Sequence, residues 1–410
     1  MRGDDRMEQT NYKFQDVCEI VTDYVANGSF KSLADNVQYS DKKDYARLIR
    51  LVDYNNNYDE KNAVWVPESS YNFLKKSVLY GDEVIISNVG ANLGTVFKCP
   101  KLNYPMTLGP NSLLVRTNDL CNQNYLYYYL KSKIGYSKLM ALVSGSAMPK
   151  FNKTELRNME ISLPDREYQD KVAEVLIKID KKIELNNEIN NNLHDLAEQQ
   201  FNEIYSLGSP KKLDELLFNV STGSRPKGGA QESGIPSIGA EKIEKFGIYD
   251  YSSEKYISED YYEKLKNGKI NSGDVLLYKD GAYTGKVSMS LDGFPHNKAA
   301  VNEHVFILNT ENNWAQNYLY FVLYNKDNKE MLHRLASSKA AQPGLNQVEL
   351  KSIEINICDK DDILKFENSV KPIMEKIALN SLENKRLAEL RDTLLPKLMN
   401  GEIELDNIEI

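Results

Sequence analysis

The sequence predicts an α+β chain of two globular domains, β-rich with helices, separated by two long helices that form an antiparallel coiled coil with pseudo-twofold symmetry. Three observations predict it. One layout occurs twice at a near-constant spacing, each copy ends in a long glycine-free heptad stretch, and each copy carries short β-branched runs closed by glycine turns.

The duplication comes first because it organises everything else. Asn124-Tyr125-Leu126-Tyr127 returns as Asn317-Tyr318-Leu319-Tyr320 at an offset of 193, and Gly81-Asp82 returns as Gly273-Asp274 at 192. Beyond the tyrosines the offset settles at 194, pairing Asn152 with Asn346, Leu156 with Leu350, Ile161 with Ile355 and Lys182-Ile183 with Lys376-Ile377. A spacing held through so many positions marks two copies of one unit. The expected boundaries are 11–163 for the first globular domain, 164–207 for the first long helix, 211–357 for the second domain and 358–402 for the second helix.

Each globular stretch holds strand-like runs such as Val84-Ile85-Ile86 and Val275-Leu276-Leu277-Tyr278, then a tyrosine-rich helical segment at 125–130 or 318–324. The stretches 165–205 and 360–399 lack glycine and follow heptad spacing. One seam runs Leu176, Ile179, Ile183, Asn186, Asn190, Leu193, Ala197, Gln200, Ile204; the other runs Val370, Ile373, Ile377, Asn380, Asn384, Leu387, Arg391, Leu394, Leu398. Both are apolar at their ends with two asparagines in the middle. A seam asparagine weakens a coiled coil but fixes its register, since a second amide satisfies it. An antiparallel pairing about an axis near residue 188 would set Asn186 opposite Asn384 and Asn190 opposite Asn380. Leu207-Gly208-Ser209-Pro210 reads as the stop of the first helix, and Pro396 is expected to kink or fray the end of the second.

Bulk properties narrow the function. The 410 residues exceed one ordinary core, and 41% hydrophobic with 27% charged residues describes a soluble globular chain. No apolar run reaches membrane-spanning length and the N-terminus lacks an apolar signal region, so a cytoplasmic protein without membrane contact is expected. Cys18, Cys99, Cys121 and Cys358 are dispersed with no Cys-x-x-Cys pair, which fits reduced thiols. A net charge of −8 counts against a protein that coats nucleic acid through phosphates alone, while leaving room for local basic loops.

No catalytic set stands out, and no cofactor or metal is expected. Gly281 to Lys286 is one residue short of a Walker A loop, and the absence of any Pro-Pro pair removes an Asn-Pro-Pro-Tyr amino-methyltransferase motif. His194, His296, His304 and His333 show no metal-like or triad-like spacing. Trp65, Trp314 and the tyrosine clusters read as packing residues.

Several segments together resemble the specificity subunits of type I restriction-modification systems. They are Leu163-Pro164 with Gln169 opening a helix that runs to Lys182-Ile183-Glu184-Leu185-Asn186; Gly81-Asp82-Glu83-Val84-Ile85-Ile86 and Gly273-Asp274-Val275-Leu276-Leu277; Gly90-Ala91-Asn92-Leu93-Gly94 and Gly281-Ala282-Tyr283-Thr284-Gly285; and Ser144 to Pro149 with Ser337 to Pro343. Two departures are Tyr168, where a Glu is usual, and Ile357-Cys358-Asp359 in place of Leu-Pro. The resemblance implies a non-catalytic DNA-recognition subunit. Each globular domain would be a target-recognition domain reading half of a bipartite double-stranded target. The helices would dock methyltransferase subunits, and endonuclease–translocase subunits would join them. A coiled-coil adaptor that binds proteins only, or a stand-alone DNA-modifying enzyme, stays open as an alternative.

Base and phosphate contacts call for amides, guanidinium forks, ammonium groups and hydroxyls in turns. In the first copy the candidates are Ser29, Lys31, Arg47, Arg50, Asn88, Asn92, Lys150 and Asn152. In the second they are Ser224, Arg225, Lys227, Lys279, Tyr283, Thr284, Lys286, Ser338, Lys339 and Gln342, with Arg225 and Lys286 foremost.

Overall fold

The structure, a computed structural model, describes residues 8–145, 148–281, 283–337 and 344–403. The chain divides into two compact units, one made of residues up to Asp180 together with those from Glu389 on, the other of Lys181–Ala388.

The first unit holds two four-stranded sheets. One orders Cys18–Asp23, Ser112–Thr117, Val84–Ser87 and Val96–Lys98, all antiparallel. The other orders Val64–Val66, Ala46–Ile49, Met106–Leu108 and Val78–Leu79, with one parallel pair, Ala46–Ile49 beside Met106–Leu108. Thr10–Lys13 pairs antiparallel with Glu160–Leu163 and closes the unit. The core joins Val84, Ile86, Leu113 and Val115 of the antiparallel sheet to the tyrosines of helix Gln123–Lys131 and to Val172 and Leu176.

The second unit repeats this plan. Asn219–Thr222, Val305–Asn309, Val275–Tyr278 and Val287–Met289 form the antiparallel sheet. Tyr256–Ile257, Ile235–Ile238 and Ala300–Val301 form the mixed one, again with a single parallel pair. Ser209–Lys212 pairs with Glu354–Ile357 as the closing ribbon. The fourth strand of the first unit's mixed sheet has only an isolated bridge, Lys269 to Ala300, in its place. The tyrosine-rich helix recurs at Gln316–Tyr324, its side chains buried against Phe201 and Phe366.

Two 40-residue helices, Arg166–Tyr205 and Lys360–Met399, contribute to both units. At 1.5 Å per residue each is about 60 Å long. Their packing is antiparallel within each unit. In the first, Tyr168 Oη donates to Leu398 O at 3.1 Å and Arg391 Nη1 to Asp180 Oδ1 at 2.8 Å. In the second, the seam asparagines meet, three of them buried and Asn384 partly exposed: Asn186 Nδ2 donates to Asn384 Oδ1 at 2.9 Å, and Asn380 Nδ2 to Asn190 Oδ1 at 2.9 Å. Further amide hydrogens of Asn190, Asn186 and Asn384 go to Ser381, Glu383 and Asn187. The second helix corrects one expectation, because it runs unbroken through Pro396 to Met399 and ends at Gly401 with φ of 69°. Apolar burial of Leu398 and Met399 holds that last turn despite the missing N–H. Among the described residues no helix is long and apolar enough to cross a membrane.

Candidate nucleic-acid interface

In each unit some of the polar candidates, Asn88, Asn92 and Lys150 in the first and Lys279, Tyr283 and Lys286 in the second, lie at or beside the turn that follows an inner strand of the antiparallel sheet. In the first unit that strand ends at Ser87, and the chain returns into Val96–Lys98 through a turn in which Gly94 N–H donates to Ser87 O at 2.8 Å. Gly90 and Gly94 sit at φ of 89° and 81°, a left-handed conformation that glycine adopts without Cβ strain. The second unit closes the equivalent turn with Gly285 N–H on Tyr278 O at 2.9 Å, and Gly281 and Gly285 take φ of 104° and 97°.

A second loop backs each turn. Lys150 bridges to both Val89 and Ser144, and Phe151 N–H donates to Asn88 O; in the second unit Gly344 bridges to Asp280, and Leu345 N–H donates to Lys279 O. Asn88, Asn92 and Lys150 are thereby one cluster, and Lys279, Tyr283 and Lys286 another. Asn88 Nδ2 is spent on Phe151 O at 2.9 Å, which leaves its buried Oδ1 without a protein partner. Asn92 and Lys150 are exposed.

The second cluster is the more basic. Tyr283 is exposed, with the Lys286 ammonium 4.9 Å from its ring centroid and paired with Glu244. Around them a groove is lined by Lys326, Lys329, His333 and Arg334 of helix Lys326–Ser337. Sequence reading missed those four, although Lys326, Lys329 and His333, three and four residues apart, share one helix face. Arg225 stands on a separate exposed loop with Lys227, and its Nε donates to Glu303 Oε1 at 2.8 Å. Ser224 shares a 2.8 Å hydrogen bond with Tyr261 Oη. Lys279 pairs with Asp280 at 2.9 Å, and His304 bridges Asp280 and Glu303 at 3.1 and 3.3 Å, so Arg225 and Lys279 belong to one charge network.

Other candidates have structural duties. Arg47 is fully buried, its guanidinium donating to Asp59 O at 3.0 Å and lying 3.9 Å from Asp53; it is corrected to a core residue because no DNA can reach it. Thr284 is likewise buried, its hydroxyl donating to Gly281 O at 2.8 Å inside the turn. Arg50 forks onto Asp53 at 2.9 and 3.0 Å and is half-buried. That hydrogen-bonded carboxylate raises its pKa above the usual arginine value, although burial opposes the shift. Ser29 and Asn152 cap the helices Phe30–Asn36 and Lys153–Asn158, and both remain exposed, as does Lys31. Ser338, Lys339 and Gln342 lie outside the described residues.

Residues 8–195 match the type I restriction modification DNA specificity domain. The chain is 27% identical over 333 residues to the type I restriction enzyme MjaIX specificity subunit of Methanocaldococcus jannaschii, covering 74% of each protein. Over most of its length the chain is thus similar to type I restriction-modification specificity subunits. It is also 22% identical over 370 residues to the HindI specificity subunit of Haemophilus influenzae, covering 73% of this chain and 80% of that one. The fold agrees: the S subunit of the type I system from M. genitalium superposes with a TM-score of 0.59 at 15% identity, over 97% of this chain and 98% of that one. Within this chain the two loop clusters differ in their residues while the antiparallel sheets beneath them correspond.

One titratable cluster lies apart from these loops. His194 on the first long helix is buried against Tyr320, Phe321 and Tyr324, and burial, helped by Lys245, pushes its pKa down to about 3. Its ligand atom, one from Asp195 and one from Glu198 all fall within 4.8 Å of one another, a grouping the sequence reading of the histidines did not foresee.

Proposed function

We propose that this chain is a type I specificity subunit that reads a bipartite double-stranded DNA target, with residues 11–163 serving one half and 211–357 the other. The observation that carries the reading is the matched pair of glycine turns, each backed by a second loop at the same place in the sheet and each lined by different polar groups. A shared scaffold with divergent loops suits recognition of two different half-sites, because bases are read by side chains at groove edges while the scaffold only positions them.

The long helices would then set the spacing between half-sites and dock methyltransferase subunits, to which endonuclease–translocase subunits are added. Exposed Leu185, Ile189 and Leu196 on the first helix, with Leu379 and Leu390 on the second, support protein docking there. The chain itself would supply no chemistry. Pure chain incubated with DNA, magnesium and a labelled methyl donor should transfer nothing, and turnover would count against the assignment.

Methylation mapping of the host genome with and without the gene tests the whole reading. A split methylated motif that disappears with the gene is the expected result. An unchanged methylation pattern, with the partner methyltransferase demonstrably expressed, would overturn it in favour of a protein-only adaptor.

A further inference from the structure

We propose that Nδ1 of His194, with the carboxylates of Glu198 and Asp195, forms a site for one divalent ion of the zinc class. The argument begins with an unmet hydrogen-bonding need. The imidazole is 1% exposed, its Nε2 lies 2.9 Å from Tyr320 Oη, and its buried Nδ1 has no hydrogen-bond partner. Glu198 Oε2 lies 3.9 Å away, too far for a hydrogen bond. Whichever nitrogen carries the proton, Nδ1 is left facing the carboxylates unsatisfied.

A metal ion resolves this arrangement. An ion on Nδ1 needs a neutral imidazole that carries its proton on Nε2, and Tyr320 Oη stands where that N–H would donate. A fixed acceptor for the far ring nitrogen is what orients metal-bound histidines generally. His194 and Glu198 are one helical turn apart, the spacing at which two side chains share a helix face. Tetrahedral zinc with bonds of about 2.0–2.2 Å sets its donors about 3.3 Å apart. The three donor atoms, already within 4.8 Å, reach that by rotating carboxylates that stand at the surface, Asp195 exposed and Glu198 partly so. Solvent would complete the coordination through the shallow depression lined by Asp195, Glu198, Gln199, Asn202 and Glu203. One imidazole with two carboxylates suits zinc or its first-row neighbours; magnesium and calcium call for oxygen-only shells. The Lys245 ammonium is bonded to Asn191 at 2.7 Å.

The test uses the full chain, stripped with a chelator and titrated with zinc(II) chloride, then with cobalt(II) as a spectroscopic substitute. One equivalent should bind, cobalt should give the visible bands of a four-coordinate ion, and the thermal midpoint should rise with zinc concentration. Glu198→Gln, a change at a partly exposed position, should remove all three effects while leaving the midpoint without metal unchanged. Tyr320→Phe should weaken binding by roughly 10–100-fold. No binding by the unaltered chain at micromolar zinc overturns the proposal, as does equal binding by Glu198→Gln. Neither outcome depends on DNA recognition.

Discussion

The two glycine turns are built alike and furnished differently. In the first unit Gly94 lies against Met140 and Tyr136, and the groups left to solvent there are an amide, Asn92, and one ammonium, Lys150. In the second, Gly285 lies against Lys329 and Leu332, and the same position is ringed by Lys286, Lys326, Lys329, His333 and Arg334. The helix behind the turn has therefore changed from apolar filler to a source of charge, while the Gly94–Ser87 and Gly285–Tyr278 hydrogen bonds stay the same. Backbone geometry is the shared property; the chemistry offered to a ligand belongs to each unit separately.

Arg47 and Arg225, one from each unit, give the sharpest way to break that comparison. Arg47→Ala removes a fully buried cation from beside Asp53 and should cost the first unit about 3–5 kcal/mol, read as a lower urea midpoint. If stability held and only DNA affinity fell, Arg47 would be a reading residue after all.

The tyrosine-rich helices offer a second contrast, at about 3 kcal/mol. Asn122 caps the first with a neutral side chain, accepting from Asn124 and Tyr125 N–H at 2.8 and 3.0 Å. Ala315 at the matching place cannot do so. There Glu367 reaches over from the second long helix and accepts from Tyr318 N–H at 2.7 Å. Burial pushes its pKa up to about 7. A carboxyl whose folded pKa exceeds its unfolded value lends full stability below about 4.5, and that stability drains away as pH climbs to about 7. Glu367→Gln should thus raise the melting temperature at pH 8 and leave it nearly unchanged at pH 4; an equal gain at both would refute the assignment.

Smaller effects refine the picture. Arg225→Ala should weaken recognition of one half-site by about 1–3 kcal/mol without altering stability, and competition binding with single half-site substitutions would show whether the other half is spared. Equal loss at both halves would contradict separate reading. Asn186→Ala removes its hydrogen bonds to Asn384 and Glu383, and should cost about 1 kcal/mol in denaturant unfolding.

Much of the fold was legible because it is written in periodicity. Heptads over 165–205 and 360–399 become helices at Arg166–Tyr205 and Lys360–Met399, and the glycine pairs lie at the turns their spacing suggested. The candidate loops were legible as segments but not as side chains. Asn92 and Arg225 are exposed, while Arg47 and Thr284 are buried, and nothing local distinguishes them.

By itself, then, the sequence determined the duplication, the helix lengths and the position of each turn, since these depend on contacts between near neighbours along the chain. Only the tertiary structure decided which polar groups face solvent and which are consumed internally. It alone brought Lys329 and Arg334 beside Tyr283, and Glu367 to the helix that Ala315 leaves uncapped. It also left His194 Nδ1 facing two carboxylates. Burial and pairing arise between residues far apart in the chain, and local pattern carries no record of them.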